Sequence, residues 1–283
     1  MIEVSCYNCG SAKHTLYAVE NGCNLVKCSG CGLLYVNPRP SDSEIEEGAK
    51  LGVHKGEQAL DSTGRFMNAK VAIYLKVLND IYHAELKNRT RTWLDVGCGH
   101  GELLVALHKF SSDNVKAKGL EPNRHKVKAA SEKGLDVSYF DLSTHRQQYD
   151  CISILNVYSH LTNPLDFFSL LRSRLNPKGE LLVETGDSAN LSPEDHYRPF
   201  LLPDHLSFGS EEIISGLLRR SGFEIVSANK YPALKLQFMK KRVMIEMVKL
   251  ALPNKRSQIP TMISHYRARK HKTDMWIRAR LKS

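Results

Sequence analysis

At 283 residues, with 42% hydrophobic and 25% charged side chains, the chain has room for one large α/β domain and an appendage. Its apolar runs fall short of the roughly 18 residues of a membrane span, and Met1 to Cys6 has neither the basic nor the apolar region of a secretory leader, so a cytoplasmic setting is expected. The formal charge of +10 is concentrated, because Lys235 to Lys282 carries 14 Lys/Arg against two acids, Glu246 and Asp274. An anionic partner is expected to meet that fifth of the chain.

Two Cys-x-x-Cys pairs come first, Cys6 with Cys9 and Cys28 with Cys31, separated by 18 residues and each followed by a glycine, Gly10 and Gly32. Four thiolates at this spacing form the tetrahedral sulfur cage that zinc takes, and the gap accommodates a β-hairpin. Disulfides and redox chemistry fit less well: a cytosolic chain keeps thiols reduced, and neither pair opens a helix after a buried strand. A four-sulfur site has no open position, so the zinc is read as structural. It would supply on the order of 10 kcal/mol of folding energy to a module too small to hold itself by burial. Cys23 lies outside the pattern and reads as a spare thiol. Leu33 to Val36 ends the ribbon, and Asn37-Pro38-Arg39-Pro40 stops the strand.

From Ser41 to Lys87 the pattern is helical, and Phe66, Val71, Ile73, Tyr74, Val77, Leu78, Ile81 and Tyr82 spell an amphipathic helix expected over a sheet edge. Trp93, Leu94 and Val96 then form a short buried strand that runs into Gly97, Gly99 and Gly101 and the helix opening at Leu103 to Leu107. Such a strand, glycine turn and helix let backbone N–H groups approach a ligand closely. The spacing is not that of the dinucleotide fingerprint, since the third glycine arrives one residue early. A second strand ends at Glu121, followed by Pro122, which in a doubly wound sheet puts a carboxylate beside the ribose of a bound nucleoside. Val137 to Leu142 ends a third strand with Asp141, and Tyr149 to Asn156 reads as a fourth, apolar on both faces. After the fourth strand come Tyr158 and His160, then Pro164 introduces a helix from Leu165 to Leu175. A turn at Asn176 to Gly179 leads to the fifth strand, Glu180 to Thr185. This alternation implies right-handed βαβ units and a parallel sheet.

Several of these segments, taken in order, resemble the class I S-adenosylmethionine-dependent methyltransferases. Asp95, Gly97, Gly99 and Gly101 match their motif I, Asp/Glu-x-Gly-x-Gly-x-Gly. The His160-Leu161 pair and the passage from Leu175 to Val183 match further signatures. The ribbon closing on Cys31-Gly-Leu-Leu-Tyr-Val-Asn-Pro-Arg-Pro40 looks like the zinc-ribbon methyltransferases of bacterial sugar and natural-product biosynthesis. The resemblance implies a doubly wound, Rossmann-like sheet, mostly parallel with an antiparallel last strand, and a small zinc-ribbon module. The expected division is residues 1–40 for the ribbon, 41–90 for a helical lead-in over the cofactor site and 91–283 for the methyltransferase domain. It further implies S-adenosylmethionine as cofactor, with Arg65 toward the methionine carboxylate, Asp95, Gly97, Cys98, Gly99 and Gly101 at the turn, Glu121 and Pro122 at the ribose, Asp141 and Leu142 at the adenine, and Asn156 at the end of the fourth strand.

Residues Gly186 to Ser210 read as a lid or substrate-binding loop, followed by a helix from Ser210 to Ser221 and a sixth strand from Gly222 to Lys230. The last strand is Asp274 to Leu281, forming an antiparallel hairpin with the sixth. Residues 232–272 are then an insertion with a basic amphipathic helix from Leu234 to Leu252. Methyl transfer to a protonated acceptor needs a base, and His160, His196 and His205 are the candidates, with Tyr158 and Tyr197 weaker ones. Cys98 and Cys151 are not expected to be nucleophiles. The leading reading is a methyltransferase for a small-molecule acceptor, such as a phosphate-bearing nucleotide-linked sugar or a natural-product intermediate. An RNA methyltransferase gripping phosphates with the basic region is the alternative, although Met1 to Val36 offers only Lys13 and Lys27 as positive residues. A non-catalytic cofactor-binding protein is the third reading, opposed by the intact Asp95, Glu121 and Asp141 set.

Overall fold

In the computed structural model, which describes residues 1–83, 85–86, 90–112, 114–140, 142, 144–232 and 271–282, the chain opens as an antiparallel ribbon. Its strands are β1 (His14–Glu20), β2 (Cys23–Cys28) and β3 (Leu34–Val36). Asn21 and Gly22, at φ of 53° and 73°, make the tight turn between β1 and β2 that positive φ permits. Helix α1 (Asp42–Leu51) begins at a capping box, in which Ser41 Oγ accepts from the Glu44 N–H and the Glu44 carboxylate accepts from the Ser41 N–H. A small hairpin of β4 (Val53–His54) and β5 (Leu60–Asp61) follows, within the stretch whose sequence pattern is helical. Gly52 at φ 72° ends α1 and makes the change possible.

Helix α2 (Asn68–Tyr82) leads into the alternating part of the chain. Its elements are β6 (Arg91–Val96), α3 (Glu102–Ser111), β7 (Val115–Glu121), α4 (Arg124–Ser131), β8 (Val137–Tyr139), β9 (Tyr149–Leu155), a single 3-10 turn at Tyr158–His160, α5 (Pro164–Arg172) and β10 (Leu175–Gly186). The short strand β11 (Ser207–Phe208), α6 (Glu211–Arg220), β12 (Phe223–Tyr231) and β13 (Asp274–Leu281) complete it. The main sheet has the order β12-β13-β10-β9-β6-β7-β8, with β13 antiparallel to both β10 and β12 and the others paired in parallel. The hairpin between the sixth and last strands is therefore present, and β13 lies inside it, between β12 and β10. Most of the expected insertion, residues 233–270 with the basic helix, lies outside the described residues.

Alternation along the strands divides the interior. Leu94, Val96, Ile152, Ile154, Leu181, Val183 and Ile277 join one core with α5 and α6. Trp93, Cys151, Leu182 and Trp276 join the other, with Val71, Val77, Leu78 and Ile81 of α2 and Leu103 and Leu107 of α3. So α2 covers a face of the sheet and not its edge, because its apolar stripe meets the central strands. The strand order reverses between β6 and β9, and this leaves a crevice at their carboxyl ends.

The ribbon is not a bead on a linker. Strand β11, from the loop between β10 and α6, pairs with β3 to make a four-stranded sheet of order β1-β2-β3-β11. Leu25, Val26, Leu33, Leu34, Tyr35 and Val36 lie in the same apolar cluster as the α5 and α6 face of the main sheet.

On the other face, Arg278 of β13 is buried over the Tyr82 ring, 4.4 Å from its centroid. Its guanidinium forks to Glu180 at 2.8 and 3.1 Å and to Glu85 at 2.6 and 3.2 Å. Removing one partner of such a pair leaves the other's charge desolvated, at a cost of about 3–5 kcal/mol. Arg278→Met is therefore expected to lower the unfolding free energy by about that much in urea titrations, and adding Glu180→Gln should restore part of the loss.

Candidate functional site

Three groups of residues stand out, and the first is the glycine turn at the tip of β6. Gly97, Gly99 and Gly101 have φ of 74°, 58° and 86°, values that side chains with a Cβ resist. A Cβ on Gly97 would come within 2.5 Å of Val157 Cγ2, and one on Gly101 would collide with Leu135. At Gly99 it would meet only Glu102 Oε2 at 3.9 Å, so the space above the middle of the turn is open. Glu121 is buried at the tip of β7 and aims into this turn. Its carboxylate accepts from the Gly99 N–H at 2.8 Å and the Asn123 N–H at 2.9 Å. Asn123 Nδ2 is buried with no partner among the described residues. Asn123 carried no sequence signal beyond a helix cap.

Asp95 lies one strand position below the turn, fully enclosed. Burial pushes its carboxyl up to about 7, against the opposing pull of a 2.6 Å hydrogen bond from Ser153 Oγ. Trp93 Nε1 donates to the same hydroxyl at 2.8 Å, so a strand tip with three polar side chains is fully satisfied. The segment before α2 lies against the turn, through His100 Nε2 to the Thr63 carbonyl at 2.9 Å and the Met67 N–H to Glu102 Oε1 at 3.0 Å. Arg65 stands exposed in that segment. Pro122 is half-buried, Leu142 is buried, and Asn156 is exposed beyond β9 at φ 56°. Asp141 lies outside the described residues, although the adjacent Phe140 N–H bonds to the Glu121 carbonyl at 3.0 Å. Cys98 is buried against Gly119, and burial raises its thiol, as it raises Cys151 to about 12. Neither is an exposed thiolate.

The second group follows β9. His160 Nδ1 is 2.8 Å from the Asp204 carbonyl and 2.9 Å from Asp204 Oδ1. A carbonyl can only accept, so Nδ1 carries the proton, and in the neutral ring Nε2 holds the lone pair. His54 Nε2 lies 3.0 Å from the same Oδ1. Sequence reasoning missed His54 because it comes from the unexpected hairpin. The His205 ring meets His160 edge-on at 4.9 Å. Burial lowers the affinity of His160 for a proton, but the Asp204 charge and its hydrogen bonds outweigh this, and the imidazole is held above its ordinary 6.5. Asp204, despite burial, is held well below the usual carboxylate range by these imidazoles. His160, Asp204 and His205 each offer a nitrogen or oxygen atom within 4.8 Å of the others. His196 is brought elsewhere. It is buried among Tyr17, Phe200 and Phe208, and burial lowers it to about 4. Tyr158 is buried and shares a hydrogen bond with the Tyr7 hydroxyl of the ribbon.

The third group is Cys6, Cys9, Cys28 and Cys31, whose sulfurs all lie within 4.8 Å of one another. Cys6 and Cys31 are 3.6 Å apart and Cys9 and Cys28 3.5 Å, close to the roughly 3.8 Å edge of a zinc tetrahedron with 2.3 Å bonds. The knuckles are alike: the Gly10 N–H bonds to the Cys6 carbonyl at 2.7 Å and the Gly32 N–H to the Cys28 carbonyl at 3.0 Å. Donor type, count and spacing fit zinc.

A family model described as a methyltransferase domain matches residues 67–228. Over 154 residues the chain is 31% identical to a tRNA U34 carboxymethyltransferase of Azotobacter vinelandii, covering 48% of this chain and 46% of that protein. Over 151 residues it is 24% identical to a ubiquinone biosynthesis O-methyltransferase of Roseobacter denitrificans, covering 47% and 60%. The chain thus spans about half the length of the curated relatives it matches. Among solved structures, a SAM dependent methyltransferase from Archaeoglobus fulgidus superposes with a TM-score of 0.51 at 19% identity over 74% of this chain and 94% of that one. The cyclopropane synthase MmaA2 from Mycobacterium tuberculosis does so with 0.51 at 17% identity, over 76% and 83%. No helix among the described residues is long and apolar enough to cross a membrane.

The sulfur cage gives a direct test. The purified chain is expected to carry about one zinc by elemental analysis, and Cys28→Ser should lose it together with several kcal/mol of stability.

Proposed function

Because this chain belongs to the methyltransferase domain family, we propose that it binds S-adenosylmethionine over the glycine turn and methylates an acceptor held beside His160. The residues fit the cofactor. The open space at Gly99 suits a nucleoside lying on the backbone, and Glu121 is placed to exchange its hold on the Gly99 N–H for ribose hydroxyls. Asn123 Nδ2 is a buried donor that a ligand would satisfy. Leu142 and Asp141 are assigned to the adenine, and Arg65 to the methionine carboxylate. Asp95 and Glu121 near the strand tips and Glu102 at the start of α3 gather acidic groups, which favours a cationic ligand. The bound cofactor supplies an electrophilic methyl on a sulfonium. The protein's task is to align the acceptor, exclude water and remove a proton. The sulfur cage is assigned a structural zinc.

The observation that carries the reading is the pinned imidazole. Asp204 fixes the His160 tautomer, so Nε2 is the atom that takes the acceptor's proton, and His205 flanks it. His196, buried and nearly uncharged, is assigned to packing. The acceptor we favour is a small molecule that loses a proton on methylation, such as a nucleotide-linked sugar or a natural-product intermediate. The loop carrying Asp204 and His205 packs on His160 and leaves its side chain about one-third exposed, which suits a compact acceptor. A relative named as a ubiquinone biosynthesis O-methyltransferase supports this. An RNA acceptor is the second reading, favoured by the relative named as a tRNA U34 carboxymethyltransferase and by the positive charge between Lys235 and Lys282.

Two outcomes test the proposal. S-adenosylmethionine should raise the melting temperature, and Gly101→Ala, which forces a Cβ into Leu135 at φ 86°, should weaken binding at least about tenfold by calorimetry. A screen with labelled donor against nucleotide sugars, lipid-linked intermediates and RNA should identify the acceptor. With that acceptor, the rate should rise with pH through a midpoint above 6.5, because the base acts only when deprotonated and Asp204 favours the protonated ring. Asp204→Asn should move the midpoint down, and His160→Gln should slow transfer by about 10²-fold or more.

A further inference from the structure

Asp204, the carboxylate that orients His160, sits in the long segment between β10 and α6. On the downstream side the Leu206 N–H bonds to the Ser159 carbonyl beside His160 at 2.6 Å, and on both sides the segment also takes partners from the ribbon. On the upstream side, Glu20 at the end of β1 accepts three backbone hydrogen bonds, from the N–H of Phe200 at 2.9 Å, Leu201 at 2.7 Å and Leu202 at 3.2 Å. The adjacent Asn21 Nδ2 donates to the Leu202 carbonyl at 3.0 Å. On the downstream side, the Val36 N–H donates to the Leu206 carbonyl at 2.8 Å, and Tyr35 and Leu34 pair with Ser207 and Phe208. Asp204 and His205 span the short gap between these two anchors.

The upstream anchor also holds strain. Leu201 has φ 65°, a left-handed conformation that a leucine avoids unless its surroundings impose it. Its N–H makes the shortest of the three bonds to Glu20. Charge-assisted bonds from a carboxylate to consecutive N–H groups are about twice as strong as neutral ones, and a single carboxylate here gathers three. Nothing in the chemistry of the sulfur cage asks for a glutamate at this strand end.

We propose that Glu20 is a positioning residue for methyl transfer: by holding the left-handed turn at Leu201 it sets Asp204 against His160, so the ribbon is a working part of the acceptor site. The inference rests on the reading of His160 and Asp204 as the proton-accepting pair. Among the described residues, the charged and titratable groups facing His160 are Asp204, His54 and His205, with Lys126 of α4 beyond them.

The test follows the His160 imidazole itself and does not wait on the acceptor. Protein labelled with ¹⁵N-histidine is titrated by NMR, with His160→Gln used for assignment. In the unaltered chain His160 should titrate above 6.5, and Asp204→Asn should bring it down. Glu20→Ala should lower it in the same direction by at least half as much, with zinc content retained and S-adenosylmethionine affinity within twofold. Glu20→Gln, which keeps one carbonyl acceptor, should fall between and serves as the readout if the alanine variant does not fold. A His160 midpoint unchanged in Glu20→Ala or Glu20→Gln, while Asp204→Asn lowers it, overturns the positioning role alone. A midpoint that Asp204→Asn leaves in place overturns the paired-base reading and this inference with it.

Discussion

A backbone can lie directly against a ligand only where no Cβ intervenes, and the central sheet is arranged around one place where that condition holds. Three left-handed glycines follow β6, flanked by Val157 beyond β9 and by Leu135 ahead of β8. The side chains of two neighbouring elements thus close over the first and third glycines and leave the second uncovered. Glu121 then ties the middle N–H down, which fixes the turn before anything binds. Preorganisation of this kind costs conformational freedom during folding instead of during binding.

Much of this was legible in the sequence because it depends on local constraints. Glycine spacing and apolar alternation each have one physical cause and reappear in the structure at the expected residues, and Glu121 stands at the tip of β7, while Asp141 lies outside the described residues. The sulfur cage was equally legible, since ligand type and spacing are nearly sufficient for a metal knuckle. What the sequence hid depends on long-range pairing. His54 and Asp204 are 150 positions apart and carry no shared pattern, yet they meet through a single oxygen. The hairpin that brings His54 there is only two residues per strand, too short for any periodicity to register. The placement of α2 on a face of the sheet could not be read from its own stripe, because a stripe says that a helix is covered and not by what.

The histidines illustrate the difference between type and environment. His160, His196 and His205 are indistinguishable as letters between the fourth and sixth strands. In the fold, His160 gains a carboxylate, His205 leans on His160, and His196 is wrapped in aromatic rings. Opposite surroundings move their proton affinities in opposite directions, up for His160 and down for His196. Burial alone would have lowered both. The difference comes from one aspartate on the loop between β10 and α6.

The position of β13 between β10 and β12 has a consequence for how the molecule is made. On a ribosome, every other strand of the sheet emerges first, and β10 waits with a bare edge until Asp274 to Leu281 arrive from beyond residues 233–270. An unpaired edge flanked by apolar faces is a template for wrong partners, so the nascent chain has a built-in interval of vulnerability. The same arrangement gives evolution latitude. Lengthening the excursion costs only about 0.6 kcal/mol per doubling in closure entropy, so its size and charge can drift while the strand that ends it keeps its slot.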